Sequence, residues 1–341
     1  MRLYNFFTKT IWYNKRVSIG YYLFFCLFEL IYKYIIFFRK KLYEYKIFKT
    51  HKFKLPIIIV GNITVGGTGK TPLVIYIANY LQNQGFKPAI ISRGYRSKST
   101  SISLVSTGSD PIMFGDEPVL LAKATNCPVV IGKNRVSTIE FLLKKFNNIN
   151  VIICDDGLQH YKLARDLEIA VIDSLNQFGN GHLLPLGPLR EPIYRLNTVD
   201  LVIINGNQPL SYQYQNQYTI NLLPDQIYNL LDPDNIKIPA DFTEVHAVSG
   251  IGNNKKFFDL LKNQGIKIIT HEFPDHYNYQ EKDLNFNDNL PVIMTEKDAV
   301  KCLKFAKSNF WCQTIIVNIN LLEELNSYLI NFLRKYNYAA E

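Results

Sequence analysis

The chain has 341 residues, 47% of them hydrophobic and 20% charged, which is enough for two packed domains and too apolar for wholesale disorder. Five cysteines (Cys26, Cys127, Cys154, Cys302, Cys312), odd in number and without a Cys-x-x-Cys pair, argue against a disulfide framework or zinc ribbon and for a reducing compartment. The net charge of +9 is concentrated: residues 1–55 hold twelve Lys and Arg against two acids, and 18 of the 46 aromatics, so the remainder is close to neutral and the basic balance describes an arm rather than the globular body.

Within that arm, residues 17–38 read VSIGYYLFFCLFELIYKYIIFF, long and apolar enough to cross a bilayer. Glu29 and Lys33 fall near the middle, where each costs roughly 2.5 kcal/mol or more on insertion. Spaced four apart, they share a helix face and can pair there. Both flanks are basic (Lys15 and Arg16 before, Arg39, Lys40 and Lys41 after), which gives a span no asymmetry to follow. A helix lying in the interface, aromatics in the acyl boundary and lysines on anionic headgroups, satisfies these features; a true span and a core helix are the alternatives. No small-residue cleavage site follows, which argues against a signal peptide. The expectation is a membrane-surface protein facing the cytosol.

Residues 56–60, PIIIV, form a short β-branched run, the mark of a buried parallel strand. It leads through GNITVGGTGKT into the helical stretch PLVIYIANYLQNQG: strand, glycine-rich turn and helix, the context a P-loop requires. The phosphate cradle is Thr64, Val65, Gly66, Gly67, Thr68, Gly69, Lys70 and Thr71. Its glycines let backbone N–H groups converge on phosphate oxygens, Lys70 reaches the β- and γ-phosphates, and Thr71 offers its hydroxyl to Mg²⁺. Thr64 stands where the motif has its first glycine.

A second strand, 87–92, precedes Arg93-Gly94-Tyr95, and Gly115-Asp116-Glu117-Pro118 puts two carboxylates in a turn beyond it. A third strand, VIICDD at 151–156, ends in Asp155 and Asp156, the position from which an Asp holds Mg²⁺ beside a P-loop. Strands at 167–173 and 200–206 continue the alternation, separated by the Gly- and Pro-rich loop GNGHLLPLGPLREP (179–192) with Arg190 and Glu191. Residues 207–243, rich in Asn, Gln, Pro and Tyr, read as an irregular linker. From 244 a smaller α/β domain is predicted, with strands at HAVSGI, IKIITHEF, PVIMTE and QTIIVNI, a helix at KKFFDLLKNQG and a terminal amphipathic helix. It carries Ser249-Gly250-Ile251-Gly252, read as a structural turn rather than a phosphate loop, and FPDHYNY with Asp275 and His276. The fold class is therefore α/β: a membrane-surface arm over 1–55, a P-loop core over 56–206 whose mostly parallel sheet is flanked by helices, the linker, and the smaller domain over 244–341.

A regulatory GTPase needs [NT]-K-x-D to read its base; Thr295-Glu296-Lys297-Asp298 has the lysine one place late, and Asn205-Gly206 lacks it. A membrane-recruited ATPase of the partitioning type shares GGTGKT but carries a lysine before the glycine pair, where Val65 stands here; it is the alternative reading. The third is a kinase, which needs a proton acceptor, a cation at the transferring phosphoryl and exclusion of water.

Together VGNITVGGTGKT, SRGY, GDEP, DDGLQH, LLPLGPLREP, SGIGN, FPDHYNY and MTEKD, in order from about Val60 to Asp298, resemble the tetraacyldisaccharide 4'-kinases of lipid A biosynthesis, a family that tolerates a small residue at position 64. The resemblance implies ATP- and Mg²⁺-dependent phosphorylation of the 4'-hydroxyl of a tetraacylated glucosamine disaccharide 1-phosphate at the cytoplasmic face of the inner membrane. It implies Lys70 and Thr71 on phosphate and metal, and Asp155, Asp156 and Glu191 as metal or catalytic carboxylates with His160 and Arg93 nearby. It also implies Asp116 as general base, His276 as its partner and Arg190 as charge stabiliser. Because His276 lies outside the P-loop core, its meeting with Asp116 requires the second domain to close over the nucleotide. A four-chain acceptor does not readily leave the bilayer, so the arm brings the enzyme to it, and Arg39, Lys40 and Lys41 could also meet its 1-phosphate. Neither nucleic acid nor an obligate protein partner is expected.

Overall fold

The computed structural model describes residues 11–13, 19–210, 212–319 and 322–336; the basic flank Lys15 and Arg16 lies outside them. The β-branched runs become the spine of one mixed, mostly parallel sheet. Its first strands are β1 (Ile57–Gly61), β2 (Pro88–Ser92), β3 (Ser103–Val105), β4 (Val129–Ile131), β5 (Val151–Asp155), β6 (Leu167–Asp173) and β7 (Leu201–Asn205). β8 (Gln217–Asn229), β9 (Ile236–Lys237), β10 (Glu244–Ser249), β11 (Lys267–Glu272), β12 (Val292–Thr295) and β13 (Phe310–Ile319) complete it. The order across the sheet is β11-β10-β12-β13-β8-β7-β6-β1-β5-β2-β4-β3, with β9 beside β8. Only β3/β4, β8/β13 and β8/β9 run antiparallel.

Period-two alternation decides which residues enter which layer. On β1, Ile58 and Val60 face a core filled by Leu73, Ile77 and Leu81 of helix α2 (Lys70–Asn83). Ile57 and Ile59 face the opposite core. Helices α3 (Asp116–Thr125) and α4 (Arg135–Lys145) cover opposite faces, Leu121 of α3 packing with α2 and Ile139 of α4 with Ile57. In the second half α5 (Asn254–Asn263) and α6 (Glu296–Cys302) flank β10 and β12.

Residues 207–243 are not an irregular linker. Thirteen of them form β8, which pairs with β7 on one side and β13 on the other, so a single sheet runs through both halves. Pro224 and Asp225, which disguise it in the sequence, lie opposite a register shift between Gln313 and Ile315; such an irregularity is where a sheet tolerates a proline. The terminal helix α7 (Leu322–Arg334) returns to the first half, seating Leu325, Leu329 and Leu333 beside α2, with Tyr76 Oη donating to Asn326 Oδ1 at 2.7 Å.

The arm contains helix α1 (Ile19–Glu44), none of whose residues is buried. Twelve large apolar side chains between Ile19 and Phe38 are exposed. A narrow stripe nevertheless docks on the body. Tyr22 meets His182 edge to face at 5.6 Å, Glu29 accepts from His182 Nδ1 (3.0 Å) and Leu183 N–H (2.7 Å), and Tyr32 donates to the Arg190 carbonyl at 2.9 Å. Arg39 donates to the Gln159 carbonyl at 3.0 Å. The pairing of Glu29 with Lys33 expected from their spacing therefore does not form: Glu29 turns inward to the backbone N–H and imidazole of the 179–192 loop. Arg39 is likewise engaged with the body, and Lys41 with Glu44 at 2.7 Å.

Candidate active site

The P-loop follows β1, which lies between β5 and β6, so the turn opens at the carboxyl ends of parallel strands, where α/β proteins bind ligands. Thr64 pairs with Leu189 in a lone antiparallel bridge, and Val65 N–H donates to the Pro188 carbonyl at 2.8 Å. The loop is thus stitched to the segment carrying Arg190. Gly66 and Gly69 have φ of 114° and 93°. A Cβ on Gly69 would stand 2.4 Å from Asn205 Nδ2, which donates to the Thr68 carbonyl at 3.1 Å, so only glycine fits. Asn62 Oδ1 and Thr68 Oγ1 are buried without a hydrogen-bond partner.

Lys70 opens α2, with Thr71 in its first turn. Lys70 Nζ lies 3.6 Å from Asp156 Oδ1, and the Arg190 guanidinium donates to the same carboxylate at 3.0 Å. Burial works to raise the Asp156 carboxyl, but the charges of Lys70 and Arg190 outweigh it and hold it well below the ordinary carboxylate range. Asp156 therefore brackets two cations at the mouth of the loop. Asp155, 2% exposed, accepts from Ser92 Oγ at 3.1 Å. Burial first, then the charges of Glu117 and Asp156, push it up to about 7. A carboxylate so placed calls for a cation; Thr71 and Asp155 are the residues that could hold Mg²⁺, which takes few protein oxygens and keeps phosphate and water ligands.

Glu191 stands at the edge of a second, buried network. Its carboxylate accepts from Tyr161 Oη, and Oε2 lies 3.5 Å from Arg195 Nε. Arg195 in turn bonds buried Glu168 at 2.5 Å, which also takes Arg165 at 2.8 Å. Among the described residues no three of His, Cys, Asp and Glu gather as a metal site. Glu191 thus touches Tyr161 and Arg195, while its Oε2 is buried without a hydrogen-bond partner. Replacing Arg195 with Met is expected to cost about 3 kcal/mol of stability, because it strips a cation from buried carboxylates; the shift in denaturation midpoint checks it. His160, four residues beyond Asp156, is pushed down to about 4 by burial and then by Arg135 and Arg93, so its ring is neutral at pH 7. Arg93 itself is exposed.

The other half of the site comes from residues far apart in the chain. Asp116 and Glu117 sit not in a turn but in the first turn of α3, behind Gly115 (φ 92°), where the helix dipole favours anions. Asp116, 6% exposed, accepts from His276 Nδ1 at 2.8 Å, so the two meet in this structure across 160 positions. His276 has φ 60°, a conformation that strains a side-chain-bearing residue. Its N–H donates to the Gly250 carbonyl at 3.2 Å, while Gly250 N–H donates to buried Asp298 at 2.9 Å. The glycine-rich SGIG segment is thus a support for His276, in line with its reading as a structural turn. The edge of Tyr95 lies against the imidazole, ring centroids 5.5 Å apart, and Arg96 donates to the Asp275 carbonyl at 3.0 Å.

Lys297, met in the sequence only as a misplaced base-reading lysine and as part of MTEKD and given no role there, stands among these groups. Nζ is 3.0 Å from Glu117, 3.5 Å from Asp275, 4.0 Å from Asp116 and 3.4 Å from His276 Nε2. Burial opposes its charge, but the carboxylates of Glu117, Asp116 and Asp275 raise it further above the ordinary lysine value. At Asp116 burial acts upward, and the His276 hydrogen bond followed by the charge of Lys297 overrides it, bringing the carboxyl down to about 2.

The chain is similar to known proteins over most of its length. The family model described as Tetraacyldisaccharide-1-P 4'-kinase matches residues 22–334. The chain is 46% identical over 310 residues to a tetraacyldisaccharide 4'-kinase of Coxiella burnetii, covering 89% of each. It is 43% identical over 300 residues to that of Nitrosococcus oceani, covering 87% of this chain and 86% of the other. The crystal structure of LpxK from Aquifex aeolicus in complex with ATP superposes with a TM-score of 0.79 at 31% identity, covering 91% of this chain and 98% of that one.

Proposed function

The chain belongs to the tetraacyldisaccharide 4'-kinase family of lipid A biosynthesis and is a phosphotransferase, and on that premise we propose how its residues divide the work and where it stands in the cell. ATP binds with its phosphates on residues 64–71, Lys70 and Arg190 spreading the charge that develops at the γ-phosphoryl. Thr71 and Asp155 hold Mg²⁺, which neutralises phosphate charge when bound; Asp156, already spanned by two cations, positions them instead. Asp116 takes the proton of the 4'-hydroxyl, and His276 orients it. Residues 56–206, joined by α7, act as the kinase core, and the rest of the 244–341 segment acts as a smaller lobe that delivers His276.

The observation that carries this reading is the 2.8 Å contact between Asp116 and His276, which unites the two halves beside the phosphate loop. The test is transfer of the γ-phosphoryl from Mg-ATP to a tetraacylated disaccharide 1-phosphate in detergent micelles. Transfer is expected to stop when the metal is chelated and to return with added Mg²⁺. Brisk ATP hydrolysis indifferent to that lipid would sink the assignment.

The acceptor is taken from the cytoplasmic face of the inner membrane, with α1 lying in the interface. Its docked stripe, from Tyr22 to Arg39, runs along the body, whereas a spanning helix would have to leave it. The opposite face offers apolar side chains to lipid. Leu27 and Ile31, 59% and 48% exposed, are one turn apart on that face. Changing each to Asp is expected to lower partitioning onto anionic vesicles on the order of tenfold per site, read by co-sedimentation, with the circular-dichroism spectrum unchanged.

A further inference from the structure

We propose that Lys297 is a positioning residue for phosphoryl transfer: its ammonium occupies the Nε2 lone pair of His276, fixes the ring proton on Nδ1, and leaves Asp116 as the proton acceptor of the pair. This rests on the reading of Asp116 as base and deepens it. A neutral imidazole has one donor and one acceptor nitrogen, and the neighbour of each decides which is which. Nδ1 faces the Asp116 carboxylate at 2.8 and 3.0 Å, an acceptor. Nε2 faces Lys297 Nζ at 3.4 Å, an ammonium that can only donate. Both contacts select the same tautomer, with the proton on Nδ1 and the lone pair on Nε2.

The competing partner for Nε2 is also present. Asp275 Oδ2 lies 3.7 Å from it and would favour a second ring proton. Lys297 reaches the same carboxylate at 3.5 Å and Glu117 at 3.0 Å, offsetting the negative charge around the ring. The remaining charged and aromatic neighbours do not compete for Nε2. Arg96 sits on the Asp275 carbonyl, Tyr95 presents its ring to the imidazole, and Lys301 bonds Asp298 at 2.7 Å. Without Lys297, His276 would lie between two carboxylates, Asp116 and Asp275, and become an imidazolium bridging them. Asp116 would then accept from a charged donor, which draws on its lone pairs more strongly than a neutral one does and weakens it as a base.

The deciding experiment is nitrogen-15 NMR of the folded, full-length protein with labelled histidine ring nitrogens, His276 being assigned by its loss in His276→Gln. In the wild type at pH 7 the Nε2 resonance is expected to be that of an unprotonated ring nitrogen. In Lys297→Met it should become that of a protonated one, and in Lys297→Arg, which still donates, it should revert. In parallel kcat is expected to fall on the order of tenfold or more in the methionine variant, with KM for ATP unchanged and partial recovery in Lys297→Arg. A proton on Nε2 in the wild type overturns the proposal, and this holds even if Lys297→Met does not fold. An unprotonated Nε2 in folded Lys297→Met overturns it as well, whatever happens to activity. Full turnover by Asp116→Asn would instead remove the base assignment and leave the tautomer measurement standing, so the two failures are distinguishable.

Discussion

Asp116→Asn is expected to lower phosphoryl transfer by roughly 10²–10⁴-fold, the range ascribed to a general base, while ATP binding persists. The substitution is nearly isosteric, and the amide oxygen can still accept from His276 Nδ1, so the two halves stay joined. What disappears is the capacity to take up a proton. With the carboxyl held at about 2 by His276 and Lys297 against its burial, Asp116 is ionised throughout the neutral range, and the acid limb of the rate profile does not belong to it. So acidic a carboxylate accepts the hydroxyl proton late, once bonding to phosphorus has made that proton acidic. The same depression contributes to stability above the unfolded value of 3.8 and is lost as pH falls toward 2. Single-turnover transfer measured beside nucleotide binding separates the outcomes, and wild-type turnover in Asp116→Asn would place the base elsewhere.

Lys70→Ala is expected to cost roughly 10²–10³-fold in transfer, the loss that follows removal of one preorganised donor from a charge-developing site. Its described ion pair is with Asp156 at 3.6 Å, so little else in the fold depends on it, and Arg190 stays on that carboxylate. The deficit should fall mainly on kcat, because Gly66 to Thr71 still supply backbone donors to the phosphates. Lys70→Arg should recover only part of the rate, since a planar guanidinium does not take the place of a compact ammonium. Steady-state rates at saturating ATP check both, and an alanine variant within twofold of wild type would contradict the role of Lys70.

What the sequence discloses depends on whether a local pattern carries the information. β6 is legible residue for residue as LEIAVID because it is buried throughout and bounded by polar turns. The P-loop is equally plain, since strand, glycines and helix are contiguous. β8 escapes because Pro224, Asp225 and four Asn or Gln residues mimic a linker, and only its partners β7 and β13 make it a strand. In the site, Asp116 and His276 are flagged by their motifs as candidates, whereas Lys297, although it stands in the MTEKD motif, has no role that its local sequence gives away. Its meaning comes from lying within 4.0 Å of Glu117, Asp275, Asp116 and His276 at once. Glu191 is flagged by its place beside Arg190, but its contacts with Tyr161 and Arg195 come only from the fold.

Helix α1 docks by a narrow stripe of polar groups with Tyr32 and Ile36 and turns most of its apolar side chains outward. An enzyme held that way meets its acceptor in two dimensions, so its rate should follow the mole fraction of that lipid in the surface it occupies and not the amount per litre. Diluting mixed micelles with inert detergent would slow turnover at constant total acceptor, whereas diluting the whole suspension with buffer would change it far less. Apparent affinities for the lipid are then properties of the surface as much as of the protein, and comparison between variants requires that surface to be held constant.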